Sequence, residues 1–185
     1  MAQRDTNSFW RAGMLATFVL HNAEEAAFLD HGLSPDPRVL GRLGLTEDDY
    51  RADRLSLASA LLAGVVTVAT SPRFRRDRSP LASAVAIATA GGLMVNALGH
   101  LLQAVVRRRY NPGLITAPAL MVTAARNVAG VRAGSNLSRA RATIACAAGA
   151  VVSVPAIVIA LRAARLITRF WPLDRQRTIT DTPSR

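Results

Sequence analysis

Five side chains capable of acid–base or metal chemistry lie within apolar stretches of this sequence. His21, Glu24 and Glu25 are spaced i, i+3 and i+4, which places them on one face of a helix. Asn96 and His100 are spaced i, i+4 and share a face in the same way. A charged side chain at the centre of a membrane costs about 3 kcal/mol or more unless it is paired or hydrated. We therefore expect the two polar faces to meet.

Two imidazoles with one or two carboxylates suit a divalent metal such as zinc. The predicted metal ligands are His21, Glu25 and His100. A metal-bound water would have a pKa of about 7, and a neighbouring glutamate could act as its general base. The candidate catalytic residues are Glu24 or Glu25 as base, Asn96 as an oxyanion or substrate contact, and the nearby Tyr110. The leading hypothesis is an intramembrane hydrolase, with or without a metal, acting on a lipid or another apolar substrate.

Two non-catalytic interpretations remain open for the same five residues. The cluster could relay protons or hold a cation in a small binding or transport component. It could also be a buried hydrogen-bond network that only fixes helix packing. Lone features elsewhere have simpler interpretations: His31 as a solvated loop histidine, and Gly91, Gly92 and Gly99 as sites of close helix packing.

The elements that must position these residues are long apolar runs. Half of the 185 residues are hydrophobic and the mean hydropathy is +0.21. Uncharged runs at 55–70, 81–106 and 142–161 predict helices, and the last two are long enough to cross a hydrocarbon core of about 30 Å. The predicted fold is all-α, a polytopic membrane protein with four or five transmembrane helices. We predict three parts in the chain: a polar N-terminus at 1–8, a helical membrane domain at 9–167 and a polar basic tail at 168–185.

Two further segments complete the predicted helices. The segment at 9–29 opens on Phe9-Trp10 and Arg11, which suits a membrane interface, and no small-residue cleavage site follows it as in a signal peptide. The segment at 114–125 is short and contains Pro118, so it either spans with help from its neighbours or re-enters. Polar connections are predicted at 30–54 and 126–141, and Thr46 followed by three acidic residues predicts a helix start.

The charge pattern indicates a membrane partner. The net charge of +11 comes entirely from arginine, and the arginines lie between the apolar runs. Such flanking charge anchors helices and contacts anionic lipid, so we expect membrane lipids as partners and no nucleic acid. The connection after the first segment leans acidic, which favours placing this connection outside the cell. We expect a multi-pass protein of the cell membrane. The single Cys146 excludes an internal disulfide and a cysteine-rich metal site.

The depths of the two polar clusters agree. His21 is about 18 Å into the first segment and His100 about 28 Å into the third, at 1.5 Å per residue. If the second segment spans, these two segments run in the same direction and both clusters lie toward one side. The turn Tyr110-Asn111-Pro112-Gly113 follows directly on that side.

Three motifs in this order resemble the HXXEE-domain family of bacterial and archaeal membrane proteins. His21-Asn22-Ala23-Glu24-Glu25 is similar to its HxxEE signature, Asn96 to His100 to its NxxxH element, and Tyr110 to Ala117 to its YxPGxxTA element. The resemblance covers about residues 9–125. It implies a membrane protein whose motif set suggests an enzyme, and it supplies no reaction.

Overall fold

The chain is all-helical over the residues that its structure, a computed structural model, describes: 2–28, 36–71 and 79–170. No strand occurs within these ranges, which confirms the predicted fold class. A 3₁₀ turn covers Glu47–Tyr50. The helices are α1 (Ala2–Ala27), α2 (Pro37–Arg42), α3 (Ala52–Ala69), α4 (Pro80–Arg107), α5 (Ala117–Ala133) and α6 (Arg139–Phe170).

Three of these helices, α3, α4 and α6, are long and apolar enough to cross a membrane. α1 has 26 residues but carries Arg11 and the paired glutamates, which lower its apolar character. α5 has 17 residues and carries Arg126 and Arg132. Length and composition thus support three spans, and the expected total of four or five depends on α1 and α5.

Side-chain contacts fix the direction of α1 relative to α5. Near the start of α1, Asn7 Nδ2 donates to the carbonyl of Gly130, 3.2 Å away. Further along, the hydroxyls of Thr17 and Thr123 lie 2.9 Å apart. The two helices are therefore antiparallel. α4 is joined to α5 by the short connection 108–116 and also packs against it, so α1 and α4 run in the same direction, as expected.

Small residues allow α4 and α6 to pack closely. A Cβ atom on Gly91 would collide with the backbone carbonyl of Cys146, and one on Gly149 would collide with that of Ala88. A Cβ atom on Gly92 would lie 3.2 Å from the carbonyl oxygen of Gly149. The packing role predicted for Gly91 and Gly92 is confirmed, whereas Gly99 has no atom within 4 Å of such a Cβ.

Apolar side chains fill two main parts of the bundle. One cluster lies between α1, α3, α4 and α5 and includes Met14, Phe18, Leu93 and Leu120. A second lies between α3, α6 and the segment around α2, and includes Leu40, Leu45, Ala58 and Leu161. Residues 36–51, between α1 and α3, thus pack on the C-terminal half of α6.

Asp49 attaches this segment to α6. Its carboxylate is buried, accepts from the backbone N–H of Thr46 at 2.8 Å and pairs with Arg165. Burial alone raises the pKa of Asp49, but the hydrogen bonds from Arg165 and Thr46 outweigh it and hold the pKa below its usual range. The helix start predicted at Thr46 is confirmed as the capping box of a 3₁₀ turn.

Several helices extend beyond the predicted apolar segments. α1 begins at Ala2, within the expected polar N-terminus. The expected loop at 126–141 is helical up to Ala133 and again from Arg139, because exposed arginines extend both helices beyond the apolar runs. Pro118 lies in the first turn of α5, where proline is tolerated, and the helix is regular beyond it. His31, the arginines at 73–78 and the tail from Trp171 lie outside the described residues.

We expect Gly149→Ala to lower the melting temperature of the purified protein, because its new methyl group meets the backbone of Ala88. Overpacking of this kind costs about 1–3 kcal/mol. Gly64→Ala is the matched control, since no atom lies within 4 Å of its added Cβ and alanine favours the helix. Equal stability of the two variants in thermal unfolding would contradict this account of the α4–α6 interface.

We expect Asp49→Asn to destabilise the protein by at least about 1 kcal/mol at neutral pH, because a charge-assisted hydrogen bond is lost. A carboxyl pKa that folding lowers stabilises the fold above the unfolded pKa of about 4, and that contribution disappears as the pH falls through the folded pKa. Thermal unfolding from pH 7 to 3 should therefore show a smaller acid dependence in the variant. Asp53→Asn, at an exposed surface pair, should change little.

Candidate functional site

The candidate site lies where the C-terminal parts of α1 and α4 meet the start of α5. α1 contributes His21, Glu24 and Glu25, and α4 contributes Asn96 and His100. The connection 108–116 passes between them. The structure thus brings together all five residues singled out in the sequence, and Tyr110 joins them through Glu24.

The carboxylate of Glu24 is fully engaged in hydrogen bonds. Its Oε1 accepts from the hydroxyl of Tyr110 at 2.8 Å and from the backbone N–H of Ile115 at 3.0 Å. Its Oε2 accepts from the backbone N–H and the hydroxyl of Thr116, at 2.9 and 2.7 Å. These backbone donors stand at the N-terminus of α5, where N–H groups lack helical partners and negative charge is favoured. Glu24 therefore fastens α1 to the start of α5.

The Tyr110 hydroxyl is a hydrogen-bond donor in this arrangement. Burial and the hydrogen bond to Glu24 raise the pKa of Tyr110 to about 12. The phenol therefore keeps its proton at neutral pH. Its ring also meets that of Phe28 edge to face, with the two centroids 6.0 Å apart.

The hydrogen bonds around Thr116 assign the tautomer of His21. The single hydroxyl proton of Thr116 goes to Glu24, because an ionised carboxylate only accepts. The same hydroxyl oxygen, 2.9 Å from His21 Nδ1, must then accept from that nitrogen. His21, whose side chain is completely buried, thus carries its proton on Nδ1 and leaves Nε2 with a lone pair.

Asn111 makes the same assignment for His100. Its Nδ2 donates to the backbone carbonyl of His100 at 3.0 Å, which fixes the orientation of the amide. The Oδ1 of Asn111 then accepts from His100 Nδ1, 2.9 Å away. His100 in its neutral form therefore also presents the lone pair of its Nε2.

Both Nε2 atoms are directed toward Glu25. His100 Nε2 lies 3.0 Å and His21 Nε2 3.7 Å from Glu25 Oε1, and the three atoms lie within 4.8 Å of one another. Asn96 Nδ2 donates to His21 Nε2 at 3.0 Å. Two acceptors, His100 Nε2 and Glu25 Oε1, thus face each other at hydrogen-bond distance. A cation, either a proton or a metal ion, is needed between them.

Gly113 makes room for the two imidazole rings. Its φ of +92° is in the left-handed region that favours glycine. A Cβ atom there would lie 2.6 Å from Cε1 of His21 and 2.9 Å from Cε1 of His100. The ring centroids are only 4.7 Å apart, so no other residue type fits between them and the turn.

The supporting roles of Thr116, Asn111 and Gly113 could not be predicted from the sequence. All three lie in the Tyr110 to Ala117 motif, which marks the turn but not the partners of its individual side chains. The spacing rules that reveal a helix face do not apply to a turn.

Fold and site together define an all-helical chain with membrane-length helices and a buried histidine–glutamate cluster at one end of its bundle. The family model described as "Protein of unknown function with HXXEE motif" matches residues 12–126, more than half of the chain, and the chain belongs to this family. The suspected resemblance is thus confirmed. The match includes every site residue and ends before α6. Searches of the curated proteins and of the solved structures give no match.

The adjacent glutamates should respond differently to the same substitution. We expect Glu24→Gln to lower the melting temperature markedly, because the amide nitrogen of glutamine cannot accept from donors that now bind a carboxylate. Loss of hydrogen bonds to a charged group costs about 1.5–3 kcal/mol. Glu25→Gln is the control, because the Glu25 side chain is 20% exposed and its carboxylate contacts the imidazoles of His21 and His100 instead of a set of hydrogen-bond donors on the connection. Equal destabilisation of both variants in thermal unfolding would refute the separate roles.

Proposed function

We propose that this protein is a membrane-embedded, metal-dependent hydrolase that acts on a lipid or another apolar substrate. The observation that supports it most is the fixed direction of both histidines. Because Thr116 and Asn111 accept from the Nδ1 atoms, both Nε2 lone pairs are turned toward Glu25. Metal-binding histidines are oriented in this way by partners on their other ring nitrogen.

The residues fit a divalent cation such as zinc. Two histidines and one glutamate form a ligand set known from catalytic zinc sites, which keep a further position for water or substrate. The ligand atoms of His21, Glu25 and His100 are close enough to approach one ion. The amide of Asn96 now donates to His21 Nε2, and binding of a metal would release that amide. It could then turn its oxygen to the ion or donate to a substrate oxygen.

The chemistry expected of such a site is hydrolysis. A bound zinc ion acidifies water and polarises a carbonyl group. Glu25, rather than Glu24, is the carboxylate available to bind the ion or take a proton, because Glu24 already accepts four hydrogen bonds. Tyr110 holds Glu24 and so acts as a positioning residue in this proposal. Asn96 is the candidate oxyanion or substrate contact.

The surroundings favour an apolar substrate. Large apolar side chains close to the site in sequence, Leu20 on α1 and Leu98 and Leu102 on α4, are 59%, 42% and 54% exposed. Such side chains face lipid if α4 spans a membrane. We place the protein in the cell membrane, with lipids as partners and no nucleic acid.

Metal analysis of the detergent-purified protein tests the proposal. We expect about one zinc or other divalent ion per chain after reconstitution, lost in His100→Ala and reduced in Glu25→Gln, with hydrolysis of lipid esters lost in both. His21→Ala is less informative because His21 is completely buried. Absence of metal from every folded preparation would eliminate the metal site, and unchanged turnover in both variants would eliminate the hydrolase.

A proton-handling role is the second candidate, and one observation favours it. With a proton on His100 Nε2, its contact of 3.0 Å with Glu25 is a complete ion pair, and Asn96 already satisfies His21. No metal is then required. Folded, metal-free protein that carries protons across vesicle membranes, and stops doing so in Glu25→Gln, would support this alternative over the hydrolase.

A further inference from the structure

A polar stripe leads from the candidate site to the C-terminal end of α4. Asn96, His100, Gln103 and Arg107 are spaced i, i+4, i+7 and i+11, which places them on one helix face. From His100 to Arg107 the helix rises about 10 Å. The first two residues belong to the site, and the other two continue its polar face toward the end of the span.

Gln103 and Arg107 have no hydrogen-bond or ion-pair partner within the described ranges, and both are exposed. The same holds for Arg108 and Arg109 directly after them. An exposed amide within a helix apolar enough to span a membrane is costly, since lipid offers it no hydrogen bond. A ligand that supplies acceptors along this face would remove that cost.

Two arginines at the same end of the bundle are neutralised. α4 and α6 are parallel, because Ala142 clusters with Ala86 and Gly149 lies against Gly92 further along, so Arg165 lies at this end. It pairs with Asp49, and the nearby Arg54 pairs with Asp48 at 2.6 Å. Arg107 to Arg109 have no carboxylate partner within the described ranges, so their positive charge is available for an anion.

α4 also has an exposed apolar face. Val95, Leu98, Leu102 and Val105 are 39%, 42%, 54% and 73% exposed and share a helix face that lies about 150° around α4 from the polar stripe. α1 makes most of its contacts with α5 and α3, and the site residues connect it to α4. A molecule lying along the polar stripe would meet the histidine–glutamate cluster and then the arginines.

We propose that the ligand is a phosphate-bearing lipid ester whose phosphate is held by Arg107 and the adjoining Arg108 and Arg109. Gln103 lies beside the polar backbone of the lipid. Its acyl ester is placed at the metal ligands His21, Glu25 and His100. This inference rests on the proposed hydrolase and names its substrate class. Guanidinium groups pair well with phosphate oxygens. In glycerophospholipids the ester carbonyls lie on the apolar side of the phosphate, which matches the order of the groups along α4.

The reaction would be simple ester hydrolysis. The oxygen of water forms a bond to the acyl carbon, and the bond from that carbon to the glycerol oxygen breaks. One proton of water goes to the departing glycerol oxygen. The other is released to solvent when the fatty acid product ionises. No oxidant or further reactant is needed.

Lipid binding and turnover can be measured with matched probes on the full-length, zinc-reconstituted protein. We expect dioleoyl phosphatidylglycerol to be retained in native mass spectrometry and hydrolysed in preference to dioleoylglycerol, which lacks only the phosphate headgroup. Arg107→Gln with Arg109→Gln should weaken binding by about fivefold per arginine, because each contributes about 1 kcal/mol near a charged surface. KM should rise with kcat little changed. Gln103→Leu should have a smaller effect of the same kind.

The control is Arg139→Gln with Arg141→Gln, which removes equal charge from exposed arginines at the start of α6. Equal losses in both double variants, or equal binding of the two lipids, would overturn the headgroup site. Competition by inorganic phosphate as strong as by the lipid would assign the arginines to free phosphate and overturn the lipid proposal. Selective lipid binding without hydrolysis or bound metal would instead support the headgroup site and refute the proposed hydrolase.

Discussion

The hydrogen bonding of the buried Glu24 carboxylate is the constraint on which the rest of the site depends. An ionised carboxylate in an apolar bundle must be compensated, and Glu24 accepts four hydrogen bonds from Tyr110, Ile115 and Thr116 of the connection that leads into α5. These bonds hold α1 against α5. They also use the only hydroxyl proton of Thr116, which leaves that oxygen to accept from His21. The direction of the His21 lone pair is therefore a consequence of how Glu24 is satisfied.

The connection between α4 and α5 orients the side chains of both histidines. Thr116 orients His21, Asn111 orients His100, and Gly113 supplies the space that lets the rings approach to 4.7 Å. These supports are spread along one short turn, so a change in the path of the turn would displace both imidazoles together. Such a turn suits a site in which two ligands must keep a fixed mutual geometry.

Sequence reasoning predicted much of this arrangement, and its failures have physical causes. Helix periodicity grouped His21 with the glutamates and Asn96 with His100, because a helix face can be computed from spacing alone. It could not divide the roles of Glu24 and Glu25, since they lie on either side of His21 and only the position of the α5 N-terminus shows which one it engages. It also ended the fourth segment too early, because exposed arginines in α5 lower hydropathy without ending the helix.

The two glutamates illustrate how one helix can serve structure and chemistry at adjacent positions. Glu24 is directed to α5 and is 8% exposed, whereas Glu25 is directed to α4 and its side chain is 20% exposed. The more exposed of the two, Glu25, pairs with His100, beyond which α4 carries Gln103 and Arg107. Polar groups with no partner in the described chain thus continue outward from the less buried part of the cluster. If the cluster only locked helix packing, its polar groups would be expected to satisfy one another, as Glu24 and Thr116 do. Under the proposed function, the exposed continuation along α4 is where a ligand would approach the cluster.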